Sequence, residues 1–187
     1  MNSSFAQRIR VPLGFGYGLL FLYFATPRPG LFSAGILLGG LGLALRVWAS
    51  GYLKKGRELA TSGPYAWSRN PLYLGSFVMG LGFTVAAGSL WLTLLFLTLF
   101  VAVYLPVMKR EERELAQMFG SDYSVYREAV ALFLPLGAPV HRTSRTPHQA
   151  PRGNFQWQKV ICNREYKAVI GFLLVAALLW AKMVLWR

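Results

Sequence analysis

Cysteine is all but absent: Cys162 stands alone, which excludes an internal disulfide and leaves no thiolate cluster for a metal. Histidine is nearly as scarce. His141 and His148 lie in a stretch with no acidic or thiol neighbours and read as solvated side chains rather than ligands, so no metal site is expected. Acidic residues number seven against twenty Lys and Arg, and charged residues of both signs make up only 14% of the chain. Strict period-two alternation, the mark of a membrane barrel, is also missing.

What fills the 187 residues instead is apolar, 55% by count, and it is gathered into runs rather than spread at amphipathic spacing. The uncharged runs are Val11 to Pro27, Pro29 to Leu45, Asn70 to Met108, and a shorter one from Ala168 to Ala181. A helix needs about 20 residues to span the hydrocarbon, and lipid offers no partner to an open backbone group. The third run is long enough for two spans, with a break expected at Ala87, Gly88 and Ser89. The fold class that follows is all-α: an integral membrane bundle of about five transmembrane helices with short amphipathic helices on the cytoplasmic side. The first run reads as a retained helix rather than a cleaved signal, because a Pro-rich turn and a second span follow it. We read 1–187 as a single membrane domain, with 136–153 as an irregular cytoplasmic connector and 154–187 as a C-terminal extension carrying the last span.

The formal charge of +13 does not point to nucleic acid, because its placement follows the spans. With the N-terminus cytoplasmic, sixteen of the twenty basic residues fall inside: Arg8, Arg10, Lys54, Lys55, Arg57, Arg69 and ten from Lys109 to Lys167. The positive-inside rule then sets the N-terminus in and the C-terminus out, at the inner membrane if the cell is bacterial. All seven acids share the cytoplasmic side, and the surplus of positive charge favours anionic lipid headgroups. Lys182 is expected to snorkel outward from the end of the last span.

Three places invite a chemical reading. At Arg69-Asn70-Pro71, Asn has the form of a helix cap and Pro suits the first helical position, so Arg69 beside the free N–H groups makes an anion receptor, or else a plain capped helix with an interfacial Arg. Arg46 continues a stripe of Gly35, Gly39 and Gly42 in the second span. It is a functional candidate, or a side chain that snorkels to the boundary. From Val107 to Ala131 two short amphipathic helices fit, with Gly120 as a stop. Glu111 then lies in the middle of an apolar face and Glu112 at its edge, either as site residues or as fastenings to a neighbouring base. Tyr123, Tyr126 and Arg127 follow, and they read equally as site groups or as an interfacial belt.

Gly63-Pro64-Tyr65, then Arg69-Asn70-Pro71-Leu72-Tyr73-Leu74-Gly75, then Glu111-Glu112 with Leu115, Phe119-Gly120, Tyr123 and Tyr126, resemble the isoprenylcysteine carboxyl methyltransferase and phospholipid methyltransferase superfamily. The resemblance covers about 35–135, a methyltransferase-like core. It implies a small membrane enzyme that binds S-adenosylmethionine at the cytoplasmic face and admits a lipid-like or prenylated acceptor between helices. It also implies a cofactor-binding segment of Gly63, Pro64, Tyr65, Arg69, Asn70, Pro71 and Tyr73, with Glu111 and Glu112 at the same site. Asn70 stands where the family has His, which argues against a titrating base there but leaves hydrogen bonding intact. In this reading Arg46 or Arg127 orients an anionic acceptor, and transfer depends on positioning and desolvation. A nicotinamide-dependent membrane reductase and a non-catalytic lipid-binding protein remain as alternatives.

Overall fold

A computed structural model describes residues 14, 16–53, 58–135 and 153–185. Arg8, Arg10, Lys54, Lys55, Arg57, His141, His148, Arg187 and nearly all of the 136–153 connector lie outside the described residues. The described residues are helical, with no strand among them. Helix α1 covers 16–24, α2 Pro29–Ser50, α3 Pro71–Ala86, α4 Leu90–Ala129, α5 Trp157–Cys162 and α6 Tyr166–Leu185, and a 3-10 turn occupies Gly63–Ala66. Of these, α2, α4 and α6 are long and apolar enough to cross a membrane, while α3 is apolar but only 16 residues long.

The glycine stripe decides how α2 meets α3. A Cβ on Gly35 would run into the backbone of Ala86 and Gly82, and one on Gly42 into the backbone of Met79 and Gly75. The reciprocal glycines Gly75 and Gly82 face Gly42 and Gly39 from α3. The two backbones therefore touch, as small residues permit where lipid gives no hydrophobic drive to association. The hairpin after α3 turns where the sequence predicts it: Ala87 ends the helix, Gly88 takes φ +67°, and α4 starts after Ser89. Ala86, Ala87 and Leu92 at that turn join Phe21 and Ala25 of the N-terminal segment and Leu179 of α6 in one buried cluster.

One expectation gains detail and one needs correction. Lys182, near the C-terminal end of α6, donates from Nζ to the carbonyls of Leu22 and Tyr23 at 2.6 and 2.8 Å. Those are unpaired carbonyls at the C-terminal end of α1, where a cation is favoured. The surface helix after the fourth span is not separate. α4 runs unbroken from the span through Pro106 and the charged residues to Gly120, whose φ of +53° breaks the helix before a last stretch to Ala129. At 1.5 Å per residue the stretch from Leu90 to the Gly120 break is about 45 Å long, more than the hydrocarbon thickness of about 30 Å.

Candidate functional site

The polar site forms where the chain between α2 and α3 is clasped by the chain leaving α4. The Arg69 N–H donates to the Ala131 carbonyl at 2.9 Å, Ser68 Oγ to Phe133 at 2.7 Å and Asn70 Nδ2 to Leu132 at 3.0 Å. Below this clasp the Tyr126 hydroxyl donates to the Tyr65 carbonyl at 2.7 Å, and Leu59 packs on Tyr123, Tyr126 and Val130. Burial pushes the Tyr65, Tyr123 and Tyr126 phenols above their ordinary value, so all three stay neutral. The two tyrosines of α4 are thus buried anchors, not a belt at the lipid surface. Gly63, at φ +62°, lets the 3-10 turn begin, and Pro64 and Tyr65 are buried in it.

Asn70 precedes α3 as expected, but its side chain does not cap the helix. Its amide is spent on Leu132, and the Asn70 N–H is received by Ser68 Oγ at 3.1 Å. Pro71, buried at the first position, starts the helix without needing a donor.

Arg69 is brought to the acidic pair, with Glu112 rather than Glu111 as its partner. Its Nη1 bonds Glu112 Oε1 and lies 3.5 Å from the Tyr123 hydroxyl, and Arg127 Nε approaches the same carboxylate oxygen at 3.3 Å. The Arg69 and Glu112 side chains are 10% and 15% exposed, whereas Arg127 is 63% exposed. Two cations share one anion, and Arg69 Nε is buried with no partner among the described residues. Glu111 is the exposed member of the pair, against the reading that put it on the apolar face; it accepts a 2.6 Å bond from the Tyr73 hydroxyl. The reason is the phase of α4. Met108, Glu112, Leu115, Phe119, Tyr123 and Tyr126 recur at helical spacing, and Met108 is already buried when the helix leaves the span.

Arg46 is elsewhere, and it is occupied. Its Nε and Nη2 make a two-pronged pair with Glu165 at 3.1 and 3.0 Å, and Nη1 bonds Ser76 Oγ. All three of its side-chain nitrogens have partners within the chain. Glu165 is buried in the turn between α5 and α6 and was not singled out by the sequence reading. Two features mark it in the sequence: it is the only acid after Glu128, and Arg46 is the only charge deep in a span. An isolated buried carboxylate and an isolated intramembrane base each need the other.

Among the described residues no group of three or more His, Cys, Asp and Glu comes together to hold a metal.

Apolar helices packed through glycine, with Arg69, Arg127, Glu111 and Glu112 gathered at one polar end, define a helical integral membrane protein bearing a partly buried site of paired charges. Residues 33–122, from α2 to just past the Gly120 break, match the family model described as phospholipid methyltransferase. That segment, just under half of the chain, is similar to the phospholipid and isoprenylcysteine methyltransferases. The chain is 32% identical over 109 residues to the cobalt-zinc-cadmium resistance protein CzcN of Cupriavidus metallidurans, covering 57% of this chain and 50% of that one. It is 35% identical over 82 residues to the protein-S-isoprenylcysteine O-methyltransferase of Schizosaccharomyces pombe, covering 44% and 35%. It is 30% identical over 109 residues to the steroid 5-alpha-reductase DET2 of Solanum lycopersicum, covering 55% and 42%. The chain spans half or less of the length of each of these relatives. No solved structure matches it.

Proposed function

We propose that the protein is an S-adenosylmethionine-dependent methyltransferase that modifies an amphipathic or lipid-like acceptor, an isoprenylcysteine-type carboxylate or a phospholipid amine, at the cytoplasmic face of the membrane. The observation that carries the reading is Arg69: a buried guanidinium in the family-matched segment, with Nε unpartnered and a second cation, Arg127, on the same carboxylate. A buried donor left unpaired costs about 1–3 kcal/mol, so an anionic group that accepts from it is favoured. The donor set therefore fits the amino-acid end of S-adenosylmethionine: Arg69 for its carboxylate and the exposed Glu111, held by Tyr73, for its ammonium. Gly63, Pro64 and Tyr65 shape the loop, and Asn70 and Pro71 set where α3 begins. Glu112 holds Arg69 and Arg127 in place rather than touching the cofactor.

When bound, the cofactor supplies an electrophilic methyl group on a sulfonium. The chain's own contribution is to hold the donor at the polar end of the bundle and to keep water from it, with no covalent intermediate. Asn70 carries no titrating proton, in keeping with that role. We take 35–135 as the catalytic core, since the 131–133 clasp closes on Ser68, Arg69 and Asn70. The positive-inside distribution supports an N-terminus in the cytoplasm and a C-terminus outside.

The test is a titration of the purified chain with S-adenosylmethionine, S-adenosylhomocysteine and reduced nicotinamide cofactors, read by calorimetry. Saturable binding of the first two supports methyl transfer. Binding of the nicotinamide alone supports the reductase reading that similarity to DET2 raises. No binding at all removes both enzymes and leaves a lipid-binding protein. Labelled-methyl transfer into lipid extracts then identifies the acceptor.

A further inference from the structure

The stretch that carries Arg69 is held at both ends by segments outside the family-matched 33–122. The 131–133 clasp holds its far end, at Ser68, Arg69 and Asn70. Its near end, where α2 finishes, is held by α5 and the residues that flank it. The carbonyls of Ser50 and Leu53 accept from Asn163 Nδ2 at 3.0 and 3.2 Å, and the Gly51 carbonyl accepts from the Gln156 N–H at 3.0 Å. The Tyr52 carbonyl lies 3.5 Å from Lys159 Nζ. Four successive carbonyls at a helix end are thus met from one six-residue helix and its flanks, and the buried Lys159 brings a cation to the end of α2 that favours one. The grip is mutual, because a helix as short as α5 is not stable alone.

From this grip two rings lead to the loop. Gly51 leaves room for Phe155, since a Cβ there would run into its ring. Phe155 packs edge-on against Tyr52, with centroids 6.2 Å apart. The Tyr52 ring in turn covers Gly63, where an added Cβ would run into it. Gly63, at φ +62°, opens the 3-10 turn. Within that turn the Tyr65 carbonyl receives the Tyr126 hydroxyl, and the Pro64 carbonyl receives the Trp67 and Ser68 N–H groups, both at 3.2 Å. Arg69 is the next residue, so a shift of the turn is carried to its guanidinium by the backbone.

We propose that Phe155 and Tyr52 are positioning residues for the donor site: the C-terminal extension, docked on the end of α2 through α5, sets the Gly63–Ala66 turn and through it Arg69. That Arg69 receives the methyl donor rests on the function proposed above; that the two rings set the turn does not. Hydrogen exchange of the full chain in detergent micelles, read by mass spectrometry over peptides holding the Tyr65, Trp67, Ser68 and Arg69 amides, follows the turn with no ligand present. Calorimetry with S-adenosylhomocysteine follows the donor site separately. Phe155→Ala and Tyr52→Ala are each expected to speed exchange of these amides about tenfold and to weaken affinity by a similar factor, at a temperature well below their melts. The double variant is expected to do no more than either alone, since both remove one strut. Tyr52→Phe keeps the ring and is expected to match the wild type. Leu179→Ala, which empties buried space beside the α3–α4 turn, is expected to lower the melt while exchange at 65–69 and affinity hold. Unchanged exchange in both ring variants overturns the proposal, as does a double variant in which the two effects multiply. Exchange raised as much by Leu179→Ala also overturns it, because the rings then contribute only general stability. Faster exchange with undiminished affinity overturns the link from the turn to Arg69. A wild type that binds no S-adenosylhomocysteine, with exchange responding as expected, removes the proposed activity and leaves the strut in place.

Discussion

Two arginines, both in the family-matched segment and both paired with a glutamate, are bonded in contrasting ways. At Arg46 the charges balance: one guanidinium faces one carboxylate, and Nε, Nη1 and Nη2 all have partners in Glu165 and Ser76. At Arg69 they do not: two guanidiniums share Glu112, and the buried Nε of one has none. Sequence position suggests the reverse, since a charge inside a span is the stronger sign of function. What separates a fastening from a receptor is the completeness of its hydrogen bonding, because an unmet donor is what a ligand can satisfy.

The largest expected effect comes from removing each carboxylate in turn. Glu165→Ala leaves Arg46 without its ion partner, and Glu112→Ala does the same to Arg69. Breaking a buried pair from one side costs about 3–5 kcal/mol, and Arg46 at 22% exposed falls at the lower end. Thermal melts should therefore drop in both variants. Calorimetry with S-adenosylhomocysteine should separate them: affinity is retained in Glu165→Ala below its melt and lost in Glu112→Ala. Equal loss of affinity in both would merge the two arginines into one site.

Next in size is Arg69→Lys, which keeps the charge but removes the planar fork and its Nε donor. A hydrogen bond to a charged group contributes about 1.5–3 kcal/mol, so cofactor affinity should fall by about ten- to a hundredfold while the melt shifts little. The matching change on the closed side, Arg46→Lys, should instead show in the melt and leave affinity alone. If Arg69→Lys binds like the wild type, the orphaned nitrogen is not a receptor.

Much of this architecture is legible in the sequence, and the gaps have a common cause. The apolar runs, the turn at Gly88, and the Gly35, Gly39 and Gly42 stripe each depend on chain-local physics: hydrocarbon thickness, positive φ, and the bulk of a missing side chain. Arg69, Tyr73 and the acidic pair were singled out together through their order along the chain, and the structure brings them into contact. Which glutamate turns inward was not legible, because a face drawn through Val107, Leu115 and Met118 centres on Glu111, whereas Met118 is exposed and the buried face runs from Met108 through Leu115 to Tyr123 and Tyr126 on the side of Glu112. Asn70 as a cap failed similarly. Its side chain found a carbonyl far along the chain, on Leu132.

A smaller effect is expected on the open side from Tyr73→Phe. The ring, which sits edge-on to Tyr104 with centroids 5.4 Å apart, keeps its packing, and the 2.6 Å bond to Glu111 is lost. A neutral donor on an exposed carboxylate is worth about 1 kcal/mol, or about fivefold in cofactor affinity by calorimetry. No change would remove Glu111 from the receptor and leave Arg69 as its sole polar contact.

The smallest effect belongs to Arg127, and it sharpens the comparison most finely. Its guanidinium approaches Glu112 at 3.3 Å but is 63% exposed, so as an ion pair it should contribute at most about 1 kcal/mol to stability, and less in high salt. Arg127→Gln removes one of the two cations and leaves Arg69 with Glu112 to itself, which is the balance already seen at Arg46. If the surplus charge makes the site a receptor, this variant should keep its melt yet bind S-adenosylhomocysteine a few fold more weakly at low salt, with the gap closing as salt rises. If the unmet Nε of Arg69 is sufficient, affinity will not move at any ionic strength, and the difference between the two arginines reduces to a single nitrogen.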